Sequence, residues 1–254
     1  MDILLVSLAA MIASSVSLVS GFGLGTVLLP AFALMMPLPT AIAAAALVHL
    51  LQSGFKLLAT GRAAQWGIVV RFGLPAVAGS LAGASALVVL GTGPELAVPW
   101  GADVLMTVKP LNVAVGLILI AFALGDRPIA RTGQSLPVAV GGLFSGFLGG
   151  VSGIQGALRS AVLSRVGLDK TAFIATGAVT AALVDTSRVL VYGLSAADAL
   201  AGAPPALLAS AIIAAALGVA VGTRVVGKMT DQAVHTVTRG LLVVFGGLLC
   251  VGVL

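Results

Sequence analysis

Val19-Ser20-Gly21 lies in a long apolar stretch near the start of the chain, and the same tripeptide returns as Val151-Ser152-Gly153. At this offset of 132 positions, other residues are also identical or alike. The matched pairs are Ala43 and Ala175, Lys56 and Arg188, Leu58 and Leu190, and Gly61 and Gly193. An offset of about half the chain length predicts two tandem structural repeats.

The composition is typical of a helical protein that crosses a membrane several times. Of the 254 residues, 59% are hydrophobic and 8% are charged, unlike a soluble globular domain. No basic region precedes the first apolar run, so we expect no cleaved signal peptide. The lone Cys250 excludes an internal disulfide, a metal cluster and a cysteine redox centre. We expect one all-α polytopic membrane domain over residues 1–254, with repeats at about 1–125 and 133–254, and no cofactor.

Eight apolar segments follow one another along the chain, and two are too long for a simple span. They cover residues 3–36, 40–60, 66–90, 104–124, 135–166, 170–194, 203–227 and 236–254. A transmembrane helix needs about 20 residues. Glycines interrupt both long segments, at Gly21-Phe22-Gly23-Leu24-Gly25 and at Gly149-Gly150-Val151-Ser152-Gly153. Because glycine permits a sharp reversal, each long segment is either a kinked span or a re-entrant helical hairpin.

The distribution of Lys and Arg favours the hairpins. If all eight segments crossed, the ten basic residues of the loops and segment ends would divide four to six, contrary to the positive-inside rule. If the two long segments return to the side from which they start, nine of the ten are cytoplasmic. Only Lys109 is left outside, in a loop with Glu95 and Asp103. Each half then has one hairpin and three crossings, so the second half is inverted and both termini face outward.

The two glycine tips are expected to meet near the middle of the membrane, because they enter from opposite faces. A short helix runs away from each tip, starting near Gly23 and near Gln155. Its N-terminus points free N–H groups and a positive dipole end into the centre, as at anion sites of transporters. The alternative is that these glycines only permit close helix packing.

A polar stripe runs along the second segment, where His49, Gln52, Ser53 and Lys56 are spaced i, i+3, i+4 and i+7. The stripe must face protein or water, because a cation facing lipid costs at least ~2.5 kcal/mol. Alternatively, Lys56 snorkels to the membrane boundary. His49 is either a proton relay, since imidazole titrates near physiological pH, or a structural hydrogen-bonding group.

Three further charged residues lie inside apolar segments. Asp185 and Arg188 are spaced i, i+3, which suits a structural salt bridge as well as a site. Arg159 follows Gln155 by one turn, and a guanidinium binds oxyanions such as sulfonate, sulfite or carboxylate through two hydrogen bonds. Its alternative role is to bond carbonyls of the hairpin. Three internal cations, with Lys56 included, against one acid predict that the protein binds an anion.

The run Gly142-Leu143-Phe144-Ser145-Gly146-Phe147-Leu148-Gly149-Gly150-Val151-Ser152-Gly153, the glycine-rich first hairpin ending in Leu29-Pro30 and the two-half design resemble the TauE/SafE sulfite exporter family. That family belongs to the 4-toluene sulfonate uptake permease group. The resemblance covers nearly the whole chain and implies a bacterial inner-membrane carrier for sulfur oxyanions, organosulfur anions or other organic anions. The segment Gln155-Gly156-Ala157-Leu158-Arg159-Ser160 departs from the commoner family pattern and looks like that of a distinct subgroup.

The sequence therefore predicts a secondary transporter in which two inverted halves rock around a central anion site. An anion channel of the same plan is the nearest alternative. An intramembrane serine hydrolase built on Ser152 is a third, but the twin Ser20 explains that serine without catalysis, so we expect no enzyme, no catalytic residue and no metal site. The expected partners are a small inorganic or organic anion, the lipid bilayer and a coupling proton or sodium ion, without nucleic acid. Homo-oligomerisation and the direction of transport stay open.

The residues expected to bind the substrate lie at the two tips, on the polar stripe and beside the internal charges. They are Ser20, Gly21, Phe22, Gly23, His49, Gln52, Lys56, Ser152, Gly153, Gln155, Arg159, Asp185 and Arg188.

Overall fold

The computed structural model describes residues 2–20, 24–99, 105–124, 136–195, 202–225 and 231–252, most of them in α-helices. The helices are α1 (Asp2–Ser20), α2 (Leu24–Ala33), α3 (Leu38–Thr60), α4 (Trp66–Gly91), α5 (Pro110–Leu124), α6 (Val138–Ser152), α7 (Gly156–Ser164), α8 (Lys170–Ser195), α9 (Pro205–Val225) and α10 (Asp231–Cys250). Helix α4 contains a π-helical stretch at Val69–Gly73, and a 3₁₀ turn at Gly61–Ala63 follows α3. The predicted helical class is confirmed.

Within the described residues, four helices are long and apolar enough to cross a membrane, and they coincide with the second, third, sixth and seventh predicted segments. These stretches are Leu38–Leu58, Trp66–Gly91, Lys170–Leu194 and Pro205–Gly222. Shorter apolar helices run over Ile3–Ser15, Pro110–Leu124 and Val138–Ser152.

The fourth predicted segment begins too early. Strand β2 (Leu105–Val108) occupies the residues where we expected helix and pairs antiparallel with β1 (Leu96–Pro99). Helix α5 begins only at Pro110, and proline favours the first position of a helix. In the connection between α4 and α5, Lys109 pairs with Glu95 at 3.2 Å on the exposed surface.

The helix boundaries repeat at the offset seen in the sequence. Helices α1 and α6 end at Ser20 and Ser152, and α3 and α8 begin at Leu38 and Lys170, each pair 132 positions apart. The packing also keeps its pattern when the halves are exchanged, because α1 packs on α9 whereas α6 packs on α4. Helix α3 packs on its own counterpart α8, and α5 packs on its counterpart α10.

Counterpart helices run in opposite directions. His49 of α3 contacts Asp185 of α8, whereas Gln65, just beyond α3, donates its backbone N–H to the earlier residue Thr176 at 3.0 Å. In the same way, Val113 of α5 lies near Cys250 of α10. The two helices of each pair are therefore antiparallel.

The predicted break at the second glycine cluster is present. Helix α6 ends at Ser152 and is capped by Gly153, whose φ of 77° lies in the left-handed region that glycine adopts without strain. Helix α7 then returns beside α6, since the Ser145 hydroxyl donates to the Gln155 carbonyl at 2.9 Å. In the first half, α1 packs against α2, and Gly25 of α2 lies against the Gly153 carbonyl. Residues 21–23 lie outside the described residues.

Close packing explains several glycines of the fifth segment, of which Gly150 belongs to the predicted tip cluster. Gly142, Gly146 and Gly150 of α6 lie directly against backbone atoms of α4, and Gly79 and Gly83 of α4 lie against α6. Small residues let helices in a membrane approach closely and gain van der Waals contact.

Gly146→Ala is expected to destabilise the protein by about 1–3 kcal/mol, because a methyl group there would overlap the backbone of Ala76. The matched control is Gly54→Ala, since a Cβ at Gly54 would meet no atom within 4 Å and alanine favours helix. The thermal unfolding midpoint of the purified protein measures both effects. Equal midpoints for the two variants would contradict this account of the α4–α6 contact.

Candidate functional site

The predicted polar stripe lies inside the protein, on the part of α3 that faces α1 and α8. His49, Gln52, Ser53 and Lys56 are between 0% and 7% exposed. Two polar clusters contact the stripe, one at the end of α1 and one on α8. The inference that the stripe avoids lipid is therefore confirmed.

Asp185 of α8 is the centre of the first cluster. Its Oδ2 bonds to Nδ1 of His49, and its Oδ1 accepts from Nε2 of Gln155 at 3.0 Å. The same oxygen accepts from Nε of Arg188 at 2.9 Å, and Nη2 of Arg188 lies 2.8 Å from it as an ion pair. Both oxygens of this fully buried carboxylate are thus engaged, as a buried charge requires. The cluster joins α3, α8 and the start of α7.

Lys56 forms the second cluster with α1. Its Nζ donates to the hydroxyl and the carbonyl oxygen of Ser17 at 2.6 and 3.1 Å. Gln52 donates to the same hydroxyl at 3.1 Å. Because Lys56 is 6% exposed and its ammonium bonds inside the protein, the snorkelling alternative is wrong.

The two repeat-related cations make repeat-related bonds. Arg188 Nη1 donates to the Gly149 carbonyl at 3.2 Å, and Lys56 Nζ donates to the Ser17 carbonyl. Gly149 follows Ser17, and Arg188 follows Lys56, by the same 132 positions. Each cation therefore bonds a carbonyl in the last turn of the first helix of its hairpin, where the helix dipole is negative.

A cavity lies between α1, α3, α7 and α8. The cavity is small, with about 20 Å³ open to the centre of a water-sized sphere. The residues that line it are Ser17, His49, Ser53, Lys56, Arg159, Ser160, Leu163, Phe173, Ile174, Gly177, Ala178 and Ala181. Lys56, Arg159 and three serine hydroxyls thus line the cavity, and the remaining lining residues are apolar except for His49. No carboxylate is among these lining residues.

Arg159 lies one turn into α7, and its side chain is buried at the cavity wall. Helix α7 places Arg159, Ser160 and Leu163 at the cavity along its flank rather than at its N-terminus. The short helix α7 is oriented at its start, because Gln155 there accepts a hydrogen bond from Ser145 and donates one to Asp185. The guanidinium thereby reaches the same cavity as the ammonium of Lys56.

The structure divides the predicted binding residues into three groups. His49, Lys56 and Arg159 line the cavity, whereas Gln52, Ser152, Gly153, Gln155, Asp185 and Arg188 are not among its lining residues. Ser20 ends α1, and Gly21, Phe22 and Gly23 lie outside the described residues.

Sequence reasoning overlooked Ser17 and Ser160 and left Ser53 out of the predicted site, although all three line the cavity. Ser53 lies on the polar stripe and Ser160 directly follows Arg159, so both had a local signal. Ser17 had none, because serine is common in the first segment and its contact with Lys56 is made across 39 positions.

Ser152 has a local structural role. Its hydroxyl donates to the Leu148 carbonyl at 2.9 Å and accepts from the backbone N–H of Ile154 at 3.4 Å. His49 bonds to Asp185, and no histidine side chain that the structure describes bonds to this serine. The geometry of a serine–histidine nucleophile is therefore not formed by the described side chains.

Comparison with known proteins identifies the family of the chain. Residues 6–249 match the family model described as Sulfite exporter TauE/SafE. No curated protein and no solved structure matches the chain. The family is one of transporters, and the long apolar helices accord with it, so the molecule is a multi-pass membrane protein. With nearly its whole length matched, the chain belongs to the TauE/SafE sulfite exporter family.

Proposed function

We propose that this protein is a secondary transporter of the bacterial inner membrane for small sulfur oxyanions, sulfite or sulfonates, which bind in the cavity beside Lys56 and Arg159. The observation that carries the proposal is the pairing of two buried cations on one cavity whose described lining residues include no acid. Burying like charges together is costly unless a counter-charge is supplied. A bound anion supplies it.

The charges near the cavity support this assignment. Of the buried residues that the structure describes, Lys56, Arg159 and Arg188 are the Lys and Arg, and Asp185 is the acid. Arg188 is paired with Asp185 through a hydrogen bond and an ion-pair contact. The buried basic residues thus outnumber the buried acid by two, and both Lys56 and Arg159 line the cavity.

The shape of the donors favours a tetrahedral or trigonal oxyanion. The planar guanidinium of Arg159 presents two parallel N–H groups, which match two oxygens of a sulfonate or sulfite. The hydroxyls of Ser53 and Ser160 add neutral donors. Phe173 and Ile174, with the small residues of α8, give an apolar wall that suits the carbon part of an organic sulfonate.

Alternating access follows from where the cavity lies. Its walls come from α1 and α3 of the first half and from α7 and α8 of the second. We infer that the halves are inverted repeats with re-entrant hairpins α1–α2 and α6–α7. The antiparallel course of α3 and α8 supports this, because an axis in the membrane plane reverses helix direction. Rocking of one half against the other would then open the cavity to either side.

Uptake of radiolabelled sulfite into proteoliposomes tests the proposed function. A carrier gives flux that saturates with sulfite concentration, and unlabelled sulfite or methanesulfonate inside the vesicles accelerates it by exchange. Flux without saturation, together with single-channel current, would establish the channel alternative. Absence of sulfite flux and of sulfite binding would refute the proposed substrate.

Cysteine labelling is expected to place Pro37 and Leu168 in opposite compartments, because the proposed halves are inverted. Each position receives one cysteine in a Cys250→Ala background, and an impermeant maleimide is applied before and after the membrane is permeabilised. Arg62→Cys is the control and is expected to label with Leu168→Cys, on the cytoplasmic side. Labelling of positions 37 and 168 from the same side would rule out the inverted arrangement.

A further inference from the structure

His49 bridges the two halves at the edge of the cavity. It lies on α3, lines the cavity and bonds through Nδ1 to Asp185 on α8. We propose that the His49–Asp185 pair is a proton-binding site and that the bound anion is carried together with a proton. This inference rests on the proposed function and identifies the coupling ion.

Asp185 is arranged to orient the imidazole and to remain ionised. Its Oδ1 accepts hydrogen bonds from Gln155 and from Nε of Arg188 and is also in ion-pair contact with Nη2 of Arg188, which leaves Oδ2 for His49. A carboxylate bonded to one ring nitrogen fixes the tautomer that carries a hydrogen on that nitrogen. The other nitrogen, Nε2, is then the one that takes up and releases the transported proton.

The anion and the proton favour each other because they meet in one small volume. The charged groups around His49 are Lys56 on the same helix, Arg159 on α7, and Asp185 and Arg188 on α8. A proton on His49 adds positive charge to a cavity wall that already carries two cations. An anion in the cavity offsets part of this positive charge, so each ligand strengthens the binding of the other by the same factor.

Sodium does not fit this site. Hard cations require a shell of several oxygen ligands. Asp185 is the buried acid among the described residues, and hydrogen-bond donors occupy both of its oxygens. In the part of the chain that the structure describes, no three His, Cys, Asp or Glu residues cluster as metal ligands.

Calorimetric titration of the purified protein with methanesulfonate tests the inference. Methanesulfonate stays ionised at all working pH values, so any proton taken up on binding is taken up by the protein. Repeating the titration in buffers with different ionisation enthalpies counts the protons. We expect uptake that approaches one proton per anion as the pH rises, and an affinity that falls by up to ~10-fold per pH unit, because the protonated form binds the anion better.

His49→Gln is expected to abolish this proton uptake, whereas His235→Gln, at the other histidine of the chain, is expected to leave it unchanged. Asp185→Asn is a second variant, with the same loss expected, for the case that His49→Gln does not fold. If sulfite is the tighter ligand it serves as the probe, since its own proton exchange cancels between wild type and variant. Binding of either anion with equal proton uptake in wild type and His49→Gln would overturn the inference alone. Failure of the wild type to bind either anion would defeat the proposed function with it.

Discussion

Arg159→Met is expected to weaken sulfite binding by roughly 30-fold to several thousand-fold while the protein still folds. Removing one partner from a buried charge pair costs about 2–5 kcal/mol, and each 1.4 kcal/mol or so is a factor of ten in affinity. Arg159 is 4% exposed and lines the cavity, so the lost guanidinium is not replaced by water from the surface. Calorimetric titration with sulfite measures the affinity, and the thermal unfolding midpoint verifies the fold.

Two further variants sharpen this test. Lys56→Met is expected to lower the affinity in the same range, because Lys56 supplies the second cation of the cavity. Arg165→Met removes an exposed arginine just after α7 and is expected to leave the affinity within about twofold. Wild-type affinity for sulfite in Arg159→Met would remove the guanidinium from the anion site.

Arg188→Met is expected to destabilise the protein by about 3–5 kcal/mol, mainly because Asp185 would be left as a buried charge without its strongest partner. The Gly149 carbonyl would also lose one of its two donors and keep only the Gly153 N–H. The measurement is the free energy of unfolding of the purified protein in detergent. The double variant Asp185→Asn with Arg188→Met is expected to recover much of the loss, because the uncompensated charge is gone.

The control for this variant is Arg224→Met, an exposed arginine near the end of α9, which is expected to change the stability by less than ~0.5 kcal/mol. The stability and the sulfite affinity of Arg188→Met together also distinguish the two roles that the sequence left open for Arg188, a structural salt bridge and a part of the anion site. Unchanged stability combined with lost sulfite binding would place Arg188 in the anion site and contradict its structural role.

The internal repeat made several helix boundaries predictable from the sequence. The 132-position offset anticipated the shared ends of α1 and α6 and the shared starts of α3 and α8. The reason is that apolar length and glycine breaks are local properties of the chain, and they set where helices start and stop in a membrane. The fourth segment was the exception, because pairing of β1 with β2 overrode its apolar character.

The site could be read only in part. Helical spacing predicted that His49 and Lys56 lie on one polar face, and that this face avoids lipid because it carries charge. The sequence did not predict which charged side chains would pair with one another. The paired Asp185 and Arg188 are not among the residues that line the cavity, whereas Ser17, from a segment with no distinguishing pattern, is one of them.

The amino-acid sequence alone determined the helical membrane class, the glycine break before α7 and the number of Lys and Arg residues inside apolar segments. Each of these depends on composition or on spacing along one helix. The tertiary structure decided that Asp185 pairs with Arg188 and His49, and that Lys56 and Arg159 share one cavity. Such pairings depend on distances between helices far apart in the chain, and in a medium of low dielectric constant a few ångströms decide which charges offset one another.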